Sequence, residues 1–149
     1  MILSDDCQNI AIIGSGYVGM SLSVLLSQQH NVSVIDIDKK KVEKINLGIS
    51  PVKDDLISDY LKIKKLKLNA SEPNPSILKT ANIIIVATPT DFYEKTNKFD
   101  TSSVDGVIDE IIKNNIDASI VIKSTIPEGH TEFLQKKYNN KRIIFSPNF

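Results

Sequence analysis

The chain has 149 residues, 41% of them hydrophobic, enough for one well-buried core and too few for two ordinary domains. Eighteen basic and eighteen acidic side chains cancel, so no net field favours nucleic acid or an anionic membrane, and a small-molecule partner is expected instead. No apolar run approaches the roughly 20 residues that cross a bilayer, residues 1–9 lack a secretion signal's basic-then-apolar order, and one cysteine, Cys7, excludes an internal disulfide.

Short apolar runs alternate with longer amphipathic stretches. The first run, residues 10–13 (IAII), is continuous and β-branched, as a strand buried on both faces is. It leads directly into Gly14, Gly16 and Gly19, a G-x-G-x-x-G spacing that opens a helix predicted over 18–28. In that setting Gly14 serves the tight turn, Gly16 lets a pyrophosphate approach backbone, and Gly19 lets helix pack on strand. The helix N-terminus then faces the phosphates with unpaired amides and its positive dipole end. His30 follows, far in sequence from His130, and neither has metal-ligand spacing. A second strand at 32–35 (VSVI) ends in Asp36, seventeen residues past Gly19. A carboxylate there accepts both hydroxyls of an adenosine ribose and repels a 2′-phosphate, which favours NAD over NADP. Asp38 is an alternative acid, Lys39, Lys40 and Lys41 are alternative receivers of a phosphate, and the bland reading of Asp36 is the start of a turn.

Helices are predicted over 40–47, stopped by Gly48, and over 54–61, with a weaker alternating edge strand at 66–69 (LKLN) and a short helical piece near 76–79. The lysines at 39–41 and 62–67 have acidic neighbours and read as solvated faces. The fourth strand, 83–87 (IIIVA), runs into Thr88, Pro89 and Thr90. Residues 89–103 form the longest irregular piece, of a length that is usually functional or mobile. A helix over 104–113 precedes a strand at 119–122 (SIVI), which ends in Lys123, Ser124 and Thr125. Thr125 and Glu128 spell T-x-x-E, a capping box for a helix over 128–137, and capping and cofactor contact stand level as uses of Thr125. Thr88 and Thr90 equally suit a turn closed around Pro89. The last strand, 142–145 (RIIF), delivers a loop that begins Ser146-Pro147-Asn148.

This alternation predicts an α/β domain: a doubly wound parallel sheet of about six strands with right-handed crossovers, Rossmann-type, forming one dinucleotide-binding domain over residues 1–149. Its ligand belongs beyond the carboxyl ends of the strands, near the switch point between the first and fourth, beside the hydroxyls of Thr88, Thr90, Ser124 and Thr125. The expected setting is cytoplasmic, without metal, nucleic acid or membrane.

The blocks IGSGYVGMSLSVLLSQQH, VIDIDKKKVEKINLGISPV, VATPTD, FDTSSV, VIKSTIPEG and FSPNF, in that order, resemble the N-terminal half of the UDP-glucose/GDP-mannose dehydrogenase family. The resemblance covers essentially the whole chain, and its GYVG, TPTD and KST-x-P blocks are more specific than the glycines alone. It implies an NAD-dependent oxidoreductase. Members of the kind resembled convert UDP-glucose to UDP-glucuronate with two NAD+, through a thioester on a cysteine. By resemblance, Gly14, Ser15, Gly16, Tyr17, Val18 and Gly19 hold the pyrophosphate, and Asp36 and Lys41 the adenosine ribose. Thr88, Pro89, Thr90, Ser124 and Thr125 hold the rest of the cofactor, and Thr125 also positions the catalytic water.

Two departures accompany the resemblance. The family pattern has a glutamate, implicated in acid–base work, where this chain has Asn148, and asparagine hydrogen-bonds without exchanging a proton near neutral pH. The family's second half lies beyond Phe149; it carries the connecting helix used in dimerisation, most nucleotide-sugar contacts and the nucleophilic cysteine. Cys7 precedes the first strand, at the end of the sheet opposite the expected site, and does not replace that nucleophile. The expectation is a cofactor half that binds NAD and does not by itself turn over a nucleotide sugar. Two alternatives stand beside it. One is a stand-alone NAD-binding or interaction module, which forms homo-oligomers through the surface a second half would cover. The other is the cofactor domain of a GDP-mannose or UDP-N-acetylhexosamine dehydrogenase; fold-level analogy alone also admits 2-hydroxyacid-type dehydrogenases.

Overall fold

The computed structural model of the chain describes residues 7–147. In chain order the elements are β1 (Asn9–Ile13), α1 (Tyr17–Leu26), β2 (Asn31–Ile35), α2 (Lys39–Asn46), α3 (Asp55–Ile63), β3 (Leu68–Ser71), α4 (Pro75–Thr80), β4 (Ile83–Val86), β5 (Asp91–Tyr93), β6 (Lys98–Asp100), α5 (Ser102–Lys113), β7 (Ser119–Ile122), α6 (His130–Tyr138) and β8 (Ile143–Phe145). Six strands pair in parallel in the order β3-β2-β1-β4-β7-β8, with Ile10 opposite Val32 on one side of β1 and opposite Ile83 on the other. The order reverses between β1 and β4, which makes the crevice beyond their carboxyl ends the topological switch point. The edge strand expected over 66–69 forms two residues later, as β3, and takes the sheet edge.

The strands read as continuous apolar runs because both faces of the sheet are covered. Ala11 and Ile13 of β1 enter a cluster with Ile84, Val86, Ile108, Ile120 and Leu134. Ile10 and Ile12 enter the opposite cluster, with Met20, Val24, Val34, Ile45 and Ile57. Full burial of each such side chain stabilises the fold by about 1.5–3 kcal/mol. Local signals set the helix starts: Asp38 accepts from the Lys40 and Lys41 amides at the head of α2, Asp54 from the Ile57 amide at α3, and Asn74 from Ser76 ahead of Pro75 at α4.

Two expectations are corrected. The irregular piece over 89–103 contains an antiparallel hairpin, β5–β6, in which Phe92 and Phe99 face each other with ring centroids 4.9 Å apart. Its turn places Asn97 at φ 51, a left-handed conformation that asparagine tolerates. The capping box at Thr125 does not form. α6 begins at His130 after Gly129 (φ 83), with no side-chain cap. Pro127 explains the late start, because it disfavours helical geometry at Ile126, the position that would follow a threonine cap. The His130 amide instead closes a turn on the Pro127 carbonyl at 3.2 Å.

Candidate functional site

The carboxyl ends of β1, β2, β4 and β7 meet at the switch point. Gly14 turns the chain out of β1 at φ +106, and a Cβ there would lie 2.4 Å from the Ala87 carbonyl oxygen. The turn is pinned by the Gly14 amide, which donates to the Ile35 carbonyl at 2.9 Å. At Gly19 a Cβ would stand 1.9 Å from the Gly14 carbonyl oxygen, so α1 rests directly on the loop. Gly16 differs from both: its Cβ position meets nothing within 4 Å. No side chain caps α1 at Gly16, so the first amides of the helix open onto the cleft. A diphosphate fits this arrangement, through unpaired N–H groups and the positive end of the helix dipole.

Asp36 closes the other side. Its Oδ2 accepts from the Ser15 backbone N–H at 3.0 Å and from the Ser15 hydroxyl, and its Oδ1 accepts from the Asp38 N–H at 2.8 Å. Partial burial pushes the carboxyl toward protonation, but these hydrogen bonds and the nearby Lys41 ammonium outweigh it and hold the group below the ordinary aspartate value. Asp38 is engaged as the cap of α2, so the carboxylate bonded to the glycine loop is that of Asp36.

Hydroxyls brace the end of β4 from both sides. Ser124 Oγ donates to the Thr88 carbonyl at 2.7 Å, and Ser103 Oγ, from the first turn of α5, donates to the Pro89 carbonyl at 2.7 Å. Thr88 Oγ1 lies between them, 3.2 Å from Ser103 Oγ and 3.5 Å from Ser124 Oγ. The Lys123 ammonium reaches Ser146 Oγ at 3.3 Å and ties the end of β7 to the end of β8.

A cleft of ≈ 590 Å³ opens here, bounded by residues 14–18, 36–38, 41, 87–90 and 123–125. The candidate residues read from the sequence line it, except Gly19, which sits beneath the loop, Lys39 and Lys40, which lie outside its lining, and Asn148, which lies outside the described residues. A second cleft of ≈ 570 Å³ shares Gly14, Asp36, Ile37, Thr88 and Pro89 with the first and extends between Pro73, Leu78 and α5. Contributors that escaped the sequence reading include Ile37, Lys123 and the cleft-facing side of α5, with Ser103 in its first turn. Ser103 and Lys123 fall inside the quoted FDTSSV and VIKSTIPEG blocks, but nothing in their spacing distinguishes them from solvated residues. Cys7 is exposed ahead of β1, at the opposite end of the strands. Among the described residues no group of three or more His, Cys, Asp or Glu side chains is placed to hold a metal ion, and no helix is long and apolar enough to cross a membrane.

The model of the UDP-glucose/GDP-mannose dehydrogenase family's NAD binding domain matches residues 8–146. The chain belongs to this family. The chain is 52% identical over 140 residues to the UDP-glucose 6-dehydrogenase of Streptococcus pneumoniae. It is 38% identical over 142 residues to the UDP-glucose 6-dehydrogenase of Campylobacter jejuni. In both cases 94% of this chain aligns with 36% of the relative, so the chain spans about a third of the length of the relatives it matches. Among solved structures it superposes on the UDP-D-ManNAc dehydrogenase of Pyrococcus horikoshii with a TM-score of 0.80 at 24% identity, over 94% of this chain and 36% of that one. A lactate dehydrogenase of Cryptosporidium parvum, solved with lactic acid and nicotinamide adenine dinucleotide, matches with a TM-score of 0.64 at 14% identity, over 90% of this chain and 42% of that one. Likeness at that level carries the fold alone and extends it beyond the family.

Proposed function

We propose that this chain is the cofactor-holding part of an NAD-dependent UDP-glucose 6-dehydrogenase, that it binds NAD+ in the paired clefts, and that alone it does not oxidise the nucleotide sugar. The observation that carries the proposal is the Asp36 carboxylate, held ionised against the glycine loop beside the uncapped start of α1. The 52% identity to a UDP-glucose 6-dehydrogenase supports that sugar over its relatives. The backbone of residues 14–18 holds the diphosphate, with the bare Cα of Gly16 allowing close approach. Asp36 accepts the ribose hydroxyls, and its charge repels a 2′-phosphate. Ile37, 86% exposed at the end of β2, supplies an apolar surface to the base. Thr88, Pro89, Thr90, Ser124 and Thr125 orient the nicotinamide end, and Thr125, exposed at the cleft rim, positions a water. Bound NAD+ supplies the hydride acceptor. Asn148 offers hydrogen bonds and no group that titrates near neutral pH, so acid–base work falls to other groups. The reading also assigns the chain to the cytoplasm, where a lone cysteine stays reduced.

Thermal unfolding with added nucleotide tests the binding claim, since a ligand that binds only the native state raises stability by RT ln(1 + [L]/Kd). NAD+ raises the midpoint progressively with concentration and NADP+ at the same concentration raises it less. Equal shifts, or none, would refute the assignment.

A further inference from the structure

Asn46, the last residue of α2, grips the edge strand β3 through a single carboxamide. Its Nδ2 donates to the Ala70 carbonyl at 2.9 Å and its Oδ1 accepts from the Ala70 amide at 2.8 Å. Because Lys67 and Ser71 turn their carbonyls toward β2, the alternation of the strand turns both Ala70 groups outward, where an edge strand ordinarily leaves them to water. The Ser71 carbonyl in turn accepts from the Asp36 amide at 3.2 Å. Asp36 is held a second time from the head of α2, where the Asp38 amide donates to its Oδ1 at 2.8 Å while the Asp38 side chain caps the helix. The links close a ring: from Asp36 through Asp38 and α2 to Asn46, across to Ala70, and back through Ser71. Val42 and Ile45 press α2 onto the sheet, but apolar packing is non-directional and leaves the helix free to slide along its axis. Two hydrogen bonds of fixed geometry do not. Asn46 itself lines neither cleft.

We propose that Asn46 is a positioning residue for the Asp36 carboxylate: by fixing the tail of α2 on β3 it sets where the head of the same helix presents the Asp38 amide and Lys41 to that carboxylate. That the carboxylate reads a ribose rests on the NAD+ reading of the clefts; that Asn46 places it does not. A helix of eight residues is about 12 Å long, so a short rigid element carries the effect from Asn46 to the cleft. Partial burial works against ionisation of Asp36, and the hydrogen bonds from Ser15 and the Asp38 amide, with the Lys41 charge, outweigh it. Releasing the tail of α2 loosens the Asp38 and Lys41 contributions and leaves the Ser15 bonds in place. The carboxylate then loses part of its support, not all.

The experiment follows the Asp36 carboxyl titration by NMR in the unliganded chain and measures calorimetric Kd values for NAD+ and NADP+, in the wild type, Asn46→Ala, Asn46→Ser and Ile45→Val. Alanine favours a helix more than asparagine does, so Asn46→Ala removes the grip without weakening α2 itself. Serine is too short to hold both Ala70 groups. Ile45→Val is the control: it loosens the buried face of α2 and leaves the grip intact. Both Asn46 variants are expected to move the Asp36 titration upward, to raise the Kd for NAD+ about fivefold and to narrow the gap between NAD+ and NADP+, with Ile45→Val at wild-type values for the titration and the gap. An unchanged titration in both Asn46 variants, or an equal movement in Ile45→Val, overturns the proposal and leaves Asn46 a purely structural clamp. A titration that moves in a chain whose wild type binds neither nucleotide overturns the NAD+ reading and supports the placement of Asp36 by Asn46. A titration that moves while both Kd values stay unchanged removes Asp36 as the ribose-reading group and likewise supports its placement. Should the alanine variant fail to fold, the serine variant decides.

Discussion

Asp36 keeps its charge in a partly buried position because Ser15 supplies two hydrogen bonds and the Asp38 amide a third. Its folded pKa lies below the unfolded one, so its stabilising contribution is present above the ordinary aspartate pKa and is lost as pH falls through the folded value. Ser15→Ala removes the hydroxyl donor and is expected to move the Asp36 carboxyl titration upward, read by NMR, and to begin acid unfolding at a higher pH. An unchanged titration would show that the hydroxyl does not hold the charge. The glycines separate fold from function in the same loop. Gly14→Ala forces a Cβ against the Ala87 carbonyl at positive φ and is expected to cost about 3 kcal/mol or more, seen as a lower denaturant midpoint at unchanged slope. Gly16→Ala finds open space, so its midpoint stays within about 1 kcal/mol of wild type while NAD+ affinity falls. Equal midpoints for the two variants would contradict the steric account.

Elements were legible in proportion to how much of their environment they carry in their own residues. A strand covered on both faces has to be apolar at every position, and β1, β4 and β7 announce themselves as IAII, IIIV and SIVI. The glycine loop was legible because two of its constraints are steric and local to the β1–α1 turn. The β5–β6 hairpin was not, because its strands have three residues each and lie outside the main sheet with polar neighbours, so no buried periodicity marks them. Thr125 misled because its four-residue pattern ignores Pro127, which delays α6. The cleft-facing side of α5 was illegible for a different reason: Ser103, Gly106 and Glu110 look like a solvated helix face until β2 and residues 73–75 are folded opposite them. The hairpin's marginal contacts also make a prediction. Amides within residues 91–100 are expected to exchange with deuterium through local opening, orders of magnitude faster than those of β1 and β4, which exchange only on global unfolding. Phe99→Ala should accelerate the hairpin's exchange further while leaving β1 and β4 unchanged. Protection of the hairpin equal to the core would mean that it is held by more than the Phe92–Phe99 pair.

At the scale of the molecule, the switch point gathers the glycine loop, the Asp36 carboxylate and the hydroxyls of Thr88 and Ser124 at the carboxyl ends of the central strands of a single sheet. The relatives that share this architecture are about three times as long, with 36% of their length aligned to this chain. On the proposed division of labour, the purified chain binds cofactor and produces no NADH from UDP-glucose. Steady NADH formation above an enzyme-free control would contradict it. The central claim, that Asp36 and the glycine loop form an NAD+ site, is tested most directly by calorimetric titration of NAD+ and NADP+ into the chain and into Asp36→Ala, in one buffer at one salt concentration. Saturable binding of NAD+, weaker binding of NADP+, and loss of at least about tenfold in NAD+ affinity with a narrowed gap between the nucleotides in Asp36→Ala is the predicted result. NADP+ binding as tight as NAD+, or an Asp36→Ala variant that binds NAD+ undiminished, would contradict it.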